Sequence, residues 1–398
     1  MISVEQALQI LKTHTIDFGT EVIPLQNSIH RVLKEKLYTD RPLPPYDRVT
    51  MDGIAIQYAR YQAGQRDFPI AGIAAAGMPQ KHLADPTKCL EVMTGSIMPT
   101  GLDTVIQYEH MNIKDQIAQL LDKPVKAQQN IHYKGEDRRQ GELVASINQK
   151  ISAAEIGLAA SIGKAQIQVA KLPKVLVIST GDELVEIDQQ PLAHQIRRSN
   201  VYRIQATLKA YGIQADTCHL LDDKQQIVEK LMEFIQAYDV IMLSGGVSKG
   251  KFDFLPEALQ EVGVTQLFHR IKQKPGKPLW FGQVENGCTV FGFPGNPISS
   301  FLCFHRYFKV WLDLSLYGKA ETPPYAMLTE DVTFKRDLTY FLEVNLSYSK
   351  EARILAQPKK GNGSGDLANL VEAGAFIELP QGKDLFKAGE IYPVYVYR

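Results

Sequence analysis

The sequence predicts a multidomain α/β plus β protein. At its centre stands a doubly wound, mostly parallel α/β domain, with β-rich flanking domains and a C-terminal β-barrel-like domain. Three observations lead there. From Lys174 to Phe293, short apolar runs alternate with stretches of helical periodicity, the pattern of a parallel sheet with helices on both faces. From Asp67 to His110, and again beyond Thr322, short strand-like runs are broken by Gly and Pro. The 398 residues exceed one ordinary core, so about two to four domains are expected.

The totals narrow the function. Lys and Arg number 44 and Asp and Glu 44, so the formal net charge is zero. With no basic block, nucleic acid is not an expected partner. No apolar run approaches the length of a membrane span. The start, Met1-Ile-Ser-Val-Glu, lacks the basic-then-apolar pattern of a signal peptide. Cys89, Cys218, Cys288 and Cys303 are scattered, which indicates small buried apolar residues rather than a zinc knuckle or a disulfide framework. A reducing, cytoplasmic setting is expected.

In chain order, Ser3 with Gln6 has capping-box spacing, and Val4, Ala7, Leu8 and Leu11 line one helix face. Arg41-Pro-Leu-Pro-Pro-Tyr reads as a stiff connector into the turn at Asp52-Gly53. Thr94-Gly95-Ser96 and Thr100-Gly101 with Asp103 are hydroxyl-and-backbone clusters that can hold a polar ligand or cap a turn. A polar hairpin is expected from His110 to Gln129, and a helix over Ile151–Ile162 that stops at Gly163.

The α/β unit begins with the buried strand Lys174–Ser179, which ends in Thr180-Gly181-Asp182-Glu183. Ser199 or Asn200 opens a helix with Val201, Ile204, Leu208 and Tyr211 on one stripe, and Gly212 stops it. A strand over Ile213–Cys218 closes on Leu221-Asp222-Asp223. Another helix carries Ile227, Leu231, Phe234 and Ile235. The strand Val240–Leu243 empties into Ser244-Gly245-Gly246, then Ser248, Lys249 and Gly250, with Asp253 beyond. Two adjacent glycines let the backbone approach a ligand closely. A helix through Leu255, Leu259 and Val262 and a strand over Gln266–Ile271 follow. Lys274-Pro-Gly-Lys277-Pro sets two cations around a turn, and Glu285-Asn-Gly joins a hairpin of Leu279–Val284 with Thr289–Phe293. Asn296 then Pro297 reads as N-cap and N1 of a buried helix whose first turn, with Ser299 and Ser300, suits an anion.

Parallel strands deliver their carboxyl-end loops to one sheet edge, where ligands of open α/β sheets bind. The expected crevice holds Glu183, Asp222 or Asp223, the Gly245–Gly246 turn with Ser248, Asp253, Lys274, Lys277 and the Asn296 helix start. Carboxylates beside phosphate-binding N–H groups repel the ligand unless a cation lies between them, and magnesium bridges the two. Phosphate-ester or phosphoanhydride chemistry follows. Neither a P-loop nor a strand-borne GxGxxG is present, and no Ser-His-Asp or Cys-His spacing stands out.

These motifs, in order, resemble the MoeA-type molybdopterin molybdenumtransferases, whose eukaryotic relatives include the gephyrin E domain. The matching text is Pro45-Tyr-Asp-Arg-Val-Thr-Met-Asp-Gly-Ile-Ala, Met93–Ile106, Ser179-Thr-Gly-Asp-Glu-Leu, Ser199-Asn, Leu243–Phe254, Lys274-Pro-Gly-Lys-Pro and Phe293-Pro-Gly-Asn-Pro. The resemblance implies four domains: a discontinuous elongated one of residues 1–41 and 136–172, a small β-rich one of 42–135, the α/β molybdopterin-binding domain of 173–321, and a C-terminal β domain of 322–398. It implies insertion of molybdenum from molybdate into adenylylated molybdopterin with magnesium-dependent release of AMP, in a homodimer, with a molybdopterin adenylyltransferase as a possible partner. By motif position, Asp52 and Thr94 would face the cleft of the partner subunit, while Glu183, Asp222 and Asp253 would serve the metal or the nucleotide end, Glu183 and Asp253 as metal ligands. Gly245, Gly246 and Ser248 would cradle phosphate, and Lys274 and Lys277 would balance molybdate and phosphate charge. Pro294, Asn296 and Pro297 would shape the loop, and Ser364 would reach in from the terminal domain. Ile54, Lys251 and Glu343 depart from the family pattern, which has a tyrosine, an acidic residue and, near Phe341, an arginine. A molybdopterin-binding scaffold without turnover, or a nucleotide pyrophosphate hydrolase on the same α/β unit, are the alternative readings.

Overall fold

The computed structural model of the chain describes residues 1–247, 254–285, 287–363 and 365–398. Its centre is a six-stranded sheet. Val175–Thr180, Ala215–Leu220, Val240–Ser244 and Thr289–Phe293 are mutually parallel, and Trp280–Gln283 and Thr265–His269 extend the sheet antiparallel beside Thr289–Phe293. Alternate residues of these strands feed two separate cores. Val175, Val177, Val240, Met242 and Phe291 meet the helix Ser199–Lys209 and the long helical segment that starts at Pro297. Leu176, Ile178, Ile241, Leu243 and Val290 meet the helices Lys224–Ala237 and Leu255–Glu261. Period-2 strands buried on both faces therefore produce the doubly wound arrangement that the apolar runs predict.

Local signals set the boundaries. The capping box of Ser3 with Gln6 is formed in both directions, at 2.9 and 3.2 Å. The helix Val4–Thr13 buries Val4, Ala7 and Leu11 in the same core as Trp311 and Leu316. Gly163 and Gly212 follow their helices at φ 78° each. Two elements differ from the sequence reading. The strand expected over Ile213–Cys218 lies two residues later, at Ala215–Leu220, and the strand expected over Gln266–Ile271 lies earlier, at Thr265–His269, while the helix expected to start at Asn296 and Pro297 does so and runs to Tyr317. That helix widens to a π-helical turn at Phe304–Phe308, and its N-cap residue Asn296 makes no side-chain cap bond.

The flanking regions are β-rich. Thr20–Pro24 pairs with Gln166–Ala170, and Leu37–Tyr38 with Leu143–Ala145, so the two ends of the first 172 residues zip together. Between them, the strands Gly53–Ile56, Asp67–Ala74, Cys89–Val92 and Thr104–Gln107 form one sheet with the hairpin Met111–Lys114/Ile117–Leu120. In the C-terminal region, among the described residues, Tyr325–Leu328, Thr339–Tyr348, Ile354–Pro358, Ala375–Leu379 and Ile391–Val396 close into a five-stranded barrel. Gln273 and Lys274 pair in parallel with Thr339 and Tyr340 of that barrel. A lysine of the α/β unit is thereby tied to the C-terminal β region.

Candidate functional site

At the carboxyl edge of the central sheet lies a cavity of about 470 Å³. Four strand ends supply its walls. Val175–Thr180 delivers Thr180, Gly181 and Glu183; Ala215–Leu220 delivers Asp222; Val240–Ser244 delivers Ser244, Gly245 and Gly246; Thr289–Phe293 delivers Pro294, Gly295, Asn296 and Pro297. The edge crevice expected of a doubly wound sheet is present.

The glycine turn is built by close approach. Gly245 and Gly246 take φ 106° and 67°, a region that L side chains rarely adopt. A methyl group on Gly246 would come 2.6 Å from Leu255 Cδ1 and 3.0 Å from Thr180 Oγ1. Gly245 N–H donates to Phe293 O at 3.2 Å, which ties this turn to the Pro294–Pro297 loop. Asn200 adds a second tie: its amide nitrogen donates to Ser244 Oγ at 2.9 Å and to Gly295 O at 2.8 Å. The Thr180 hydroxyl is buried beside both glycines and, among the described residues, has no partner.

The two aspartates that the sequence left interchangeable are separated by geometry. Asp223 caps the helix Lys224–Ala237, accepting from Gln226 N–H at 3.0 Å. Asp222 lines the crevice, and its N–H donates to Asp182 Oδ1 at 3.2 Å. Glu183 lines the crevice too, and its carboxylate folds over Gly181, where a side chain would overlap it. Gly181 at φ 132° makes that approach possible. Glu183 and Asp222 are two carboxylates that line the same cavity as the Gly245–Gly246 turn. Magnesium commonly takes one or two protein carboxylates and completes its shell with water and phosphate oxygens, so this donor set fits it. Among the described residues, no group of three or more His, Cys, Asp or Glu forms a fuller metal cage.

Lys274 and Lys277 do not join this crevice. They line a neighbouring cavity of about 500 Å³ that meets the first at Pro278. Parallel pairing with Thr339–Tyr340 draws Lys274 towards the barrel, where its ammonium lies 5.8 Å from the Phe334 ring centre. Arg336 and Lys360 bring further positive charge from the C-terminal region. Opposite them Glu343 is buried, and burial pushes its carboxyl up while Lys274 pulls it down. The sequence reading did not single out Arg336, Lys360, Thr180 or Arg198. Only the paired arginines before Ser199-Asn200 offered a signal. Arg198 lines the first cavity, bonded to Glu186 at 3.0 Å.

Asp52 and Thr94 stand elsewhere, exposed on the small β sheet's side of the molecule, and line neither cavity of their own chain. They are bonded to each other: Thr94 N–H and Oγ1 donate to Asp52 Oδ1 at 2.6 and 2.7 Å. Those bonds, the backbone one foremost, hold the Asp52 carboxyl below the usual carboxylate range. Ser248, Asp253, Lys251 and Ser364 lie outside the described residues. Cys89 and Cys288 are buried thiols pushed up to about 12, and Cys303 rises further. None of these three is a ready thiolate ligand.

Known proteins resemble the chain over its whole length. The family described as MoeA N-terminal region (domain I and II) matches residues 2–163, the probable molybdopterin binding domain matches 176–313, and the MoeA C-terminal region (domain IV) matches 325–397. The chain is 43% identical over 400 residues to a molybdopterin molybdenumtransferase of Synechocystis, covering 100% of both proteins. It is 28% identical to the one of Staphylococcus epidermidis, covering 99% of this chain and 95% of that protein. Among solved structures, a molybdopterin biosynthesis moeA protein of Pyrococcus horikoshii superposes with TM-score 0.83 at 26% identity, covering 100% of both chains. Matched by three successive family regions and by a full-length relative, the chain belongs to the MoeA family of molybdopterin molybdenumtransferases.

Proposed function

We propose that this chain acts in molybdenum cofactor biosynthesis as a molybdopterin molybdenumtransferase, taking molybdenum from molybdate into adenylylated molybdopterin with release of AMP. One observation carries the reading: a crevice with carboxylates and a paired-glycine turn abuts a second, cationic cavity along Pro278. The first suits a pyrophosphate with its counter-cation. The second, with Lys274, Lys277, Arg336 and Lys360, suits an oxyanion such as molybdate.

In this mechanism Glu183 and Asp222 would hold magnesium, with Asp253, which lies outside the described residues, as the further ligand that the motif suggests. Bound there, the ion would offset the negative charge of the pyrophosphate link as it breaks. The chain's own parts do the rest. Gly245 and Gly246 let the turn pack closely on Thr180 and Leu255, and its backbone would border the phosphate. Asn200 holds the glycine turn against the Pro294–Pro297 loop, and Asn296 and Pro297 bound the ligand on that side. Lys274 and Lys277 attract the oxyanion substrate. The sulfur that takes up molybdenum comes with the pterin, so no cysteine of the chain is required.

A homodimer belongs to the same proposal. What supports it is the position of Asp52 and Thr94, exposed and away from both cavities of their own chain, so that a second copy is the natural place for them to act. A molybdopterin adenylyltransferase would supply the substrate.

The test incubates the full chain with adenylylated molybdopterin, molybdate and magnesium, and measures AMP. Molybdate-dependent release, reduced by at least about a hundredfold in Glu183→Gln, is expected. Release indifferent to molybdate would favour the pyrophosphate hydrolase, and binding without release the scaffold.

A further inference from the structure

We propose that Arg203 is a positioning residue for the anionic ligand of the crevice. It locks the Asn200 amide that staples the glycine turn to the Pro294–Pro297 loop, and its own charge, which has no acidic partner among the described residues, strengthens the hold on phosphate or pyrophosphate. The inference rests on the reading of the crevice as a phosphate site.

Arg203 sits one helical turn beyond Asn200 on the helix Ser199–Lys209. Its Nη2 donates to Asn200 Oδ1 at 2.8 Å and to Pro297 O at 2.8 Å. A guanidinium only donates and a carbonyl only accepts. With Arg203 on one side and Gly295 O on the other, the Asn200 amide has a single workable orientation: oxygen towards Arg203, nitrogen towards Gly295 O and Ser244 Oγ. Without Arg203, the amide oxygen loses its donor and the side chain is held less firmly between the two loops. Arg203 also reaches the first residue of the Pro297 helix directly, so one side chain touches both halves of the cradle.

The remaining donors matter as much. Arg203 Nε and Nη1 are shut away from solvent and, among the described residues, have no partner. The guanidinium lies over the Phe301 ring at 5.0 Å, which recovers part of its lost solvation. Burial lowers its pKa to about 10, which leaves it a cation at neutral pH. A half-satisfied buried arginine is a costly way to hold an asparagine, since a neutral amide would cost less. The charge itself is therefore the reason to place arginine there. Its partners Asn200 and Pro297 line the crevice, so its charge acts on a multiply charged anion there through protein rather than through water, and added salt screens it little.

The experiment compares the full-length wild type with Arg203→Lys, Arg203→Gln and Arg203→Met. AMP and inorganic pyrophosphate are titrated with magnesium present, at low and high salt, and KM and kcat for AMP release are measured. Arg203→Gln and Arg203→Met are expected to bind pyrophosphate about tenfold more weakly and AMP by a smaller factor. Arg203→Lys should stay within about threefold of wild type for both anions. KM should rise more than kcat falls. The pyrophosphate deficit should persist at high salt. If Arg203→Met does not fold, Arg203→Gln, which keeps an amide donor, carries the comparison. The proposal is overturned if Arg203→Gln binds both anions like wild type, if Arg203→Lys is as weak as Arg203→Gln, or if AMP and pyrophosphate weaken by equal factors. Should the wild type bind neither anion, the phosphate reading of the crevice falls and takes this inference with it. The other three results overturn Arg203's part alone.

Discussion

Gly246→Ala tests whether the glycine turn is a built cradle or an ordinary bend. Two costs can be read from the structure. Gly246 holds φ 67°, a left-handed conformation worth about 1–2 kcal/mol against any residue with a Cβ. Its new methyl would also lie 2.6 Å from Leu255 Cδ1 and 3.0 Å from Thr180 Oγ1. Leu255 is buried and cannot simply swing into solvent, so overpacking adds about 1–3 kcal/mol. The sum is about 2–5 kcal/mol. Gly163 serves as the comparator, because it holds φ 78° with no atom within 4 Å of the built Cβ. Gly163→Ala should show only the first cost, about 1–2 kcal/mol. Urea unfolding of both variants gives the difference, and AMP titration gives the functional consequence. The turn can relieve the overlap only by moving off Thr180 and Leu255, which spoils the cradle, so Gly246→Ala should lose nucleotide affinity even while folded. A Gly246→Ala protein no less stable than Gly163→Ala, binding AMP like wild type, would refute the close-approach argument.

Three further outcomes are expected. Asp313 is buried, and that burial raises its pKa from 3.8 to about 6, so its favourable contribution is complete below about pH 4 and is lost as pH rises through about 6. At about two pKa units, Asp313→Asn should gain about 3 kcal/mol over wild type at pH 8 and little at pH 4; an equal gain by calorimetry at both pH values would sink this. Asp52 is held low by Thr94, so it favours the folded state above the ordinary carboxylate pKa and loses that advantage as pH falls through its lowered value. Thr94→Val keeps the backbone bond and removes the hydroxyl one, so the Asp52 midpoint in an NMR titration should move part of the way up, and an unmoved midpoint contradicts the assignment. Lys277→Met should raise the molybdate KM by about tenfold while leaving AMP affinity near wild type, and parallel losses would show that the two cavities are not separate sites.

What could be read from the chain was whatever local rules decide. The apolar runs of the central strands, the paired glycines, the capping box at Ser3 and the stops at Gly163 and Gly212 each depend on a few adjacent residues, and each appears where expected. The crevice followed because parallel strands leave little choice about where their ends meet. Long-range pairing was not legible. Nothing near Lys274 announces that it will align with Tyr340, 66 residues on, and leave the strand-end crevice for the neighbouring cavity. Asp222 and Asp223 could not be told apart by spacing, because the difference is one helix start. Arg203 was passed over for a related reason: on an amphipathic helix an arginine reads as surface, and only the fold shows its guanidinium enclosed.

The two cavities differ in sign, and that difference explains why the chain keeps them apart. In the strand-end crevice, Glu183 and Asp222 would repel a bare oxyanion, so an anion there would need its own cation. In the neighbouring cavity, among the described residues, four cationic side chains outnumber the one carboxyl, Glu343, so an oxyanion there would need no companion. Merging the two would let the lysines pair with the carboxylates and cancel both sites. The fold prevents this by fastening Lys274 to the barrel strand and by seating Gln273 beneath it, bonded to Tyr307 and to Pro275 O at 3.0 Å. Among the described residues the two linings share Pro278, where a ligand with a phosphate at one end and a metal-accepting group at the other could lie across both.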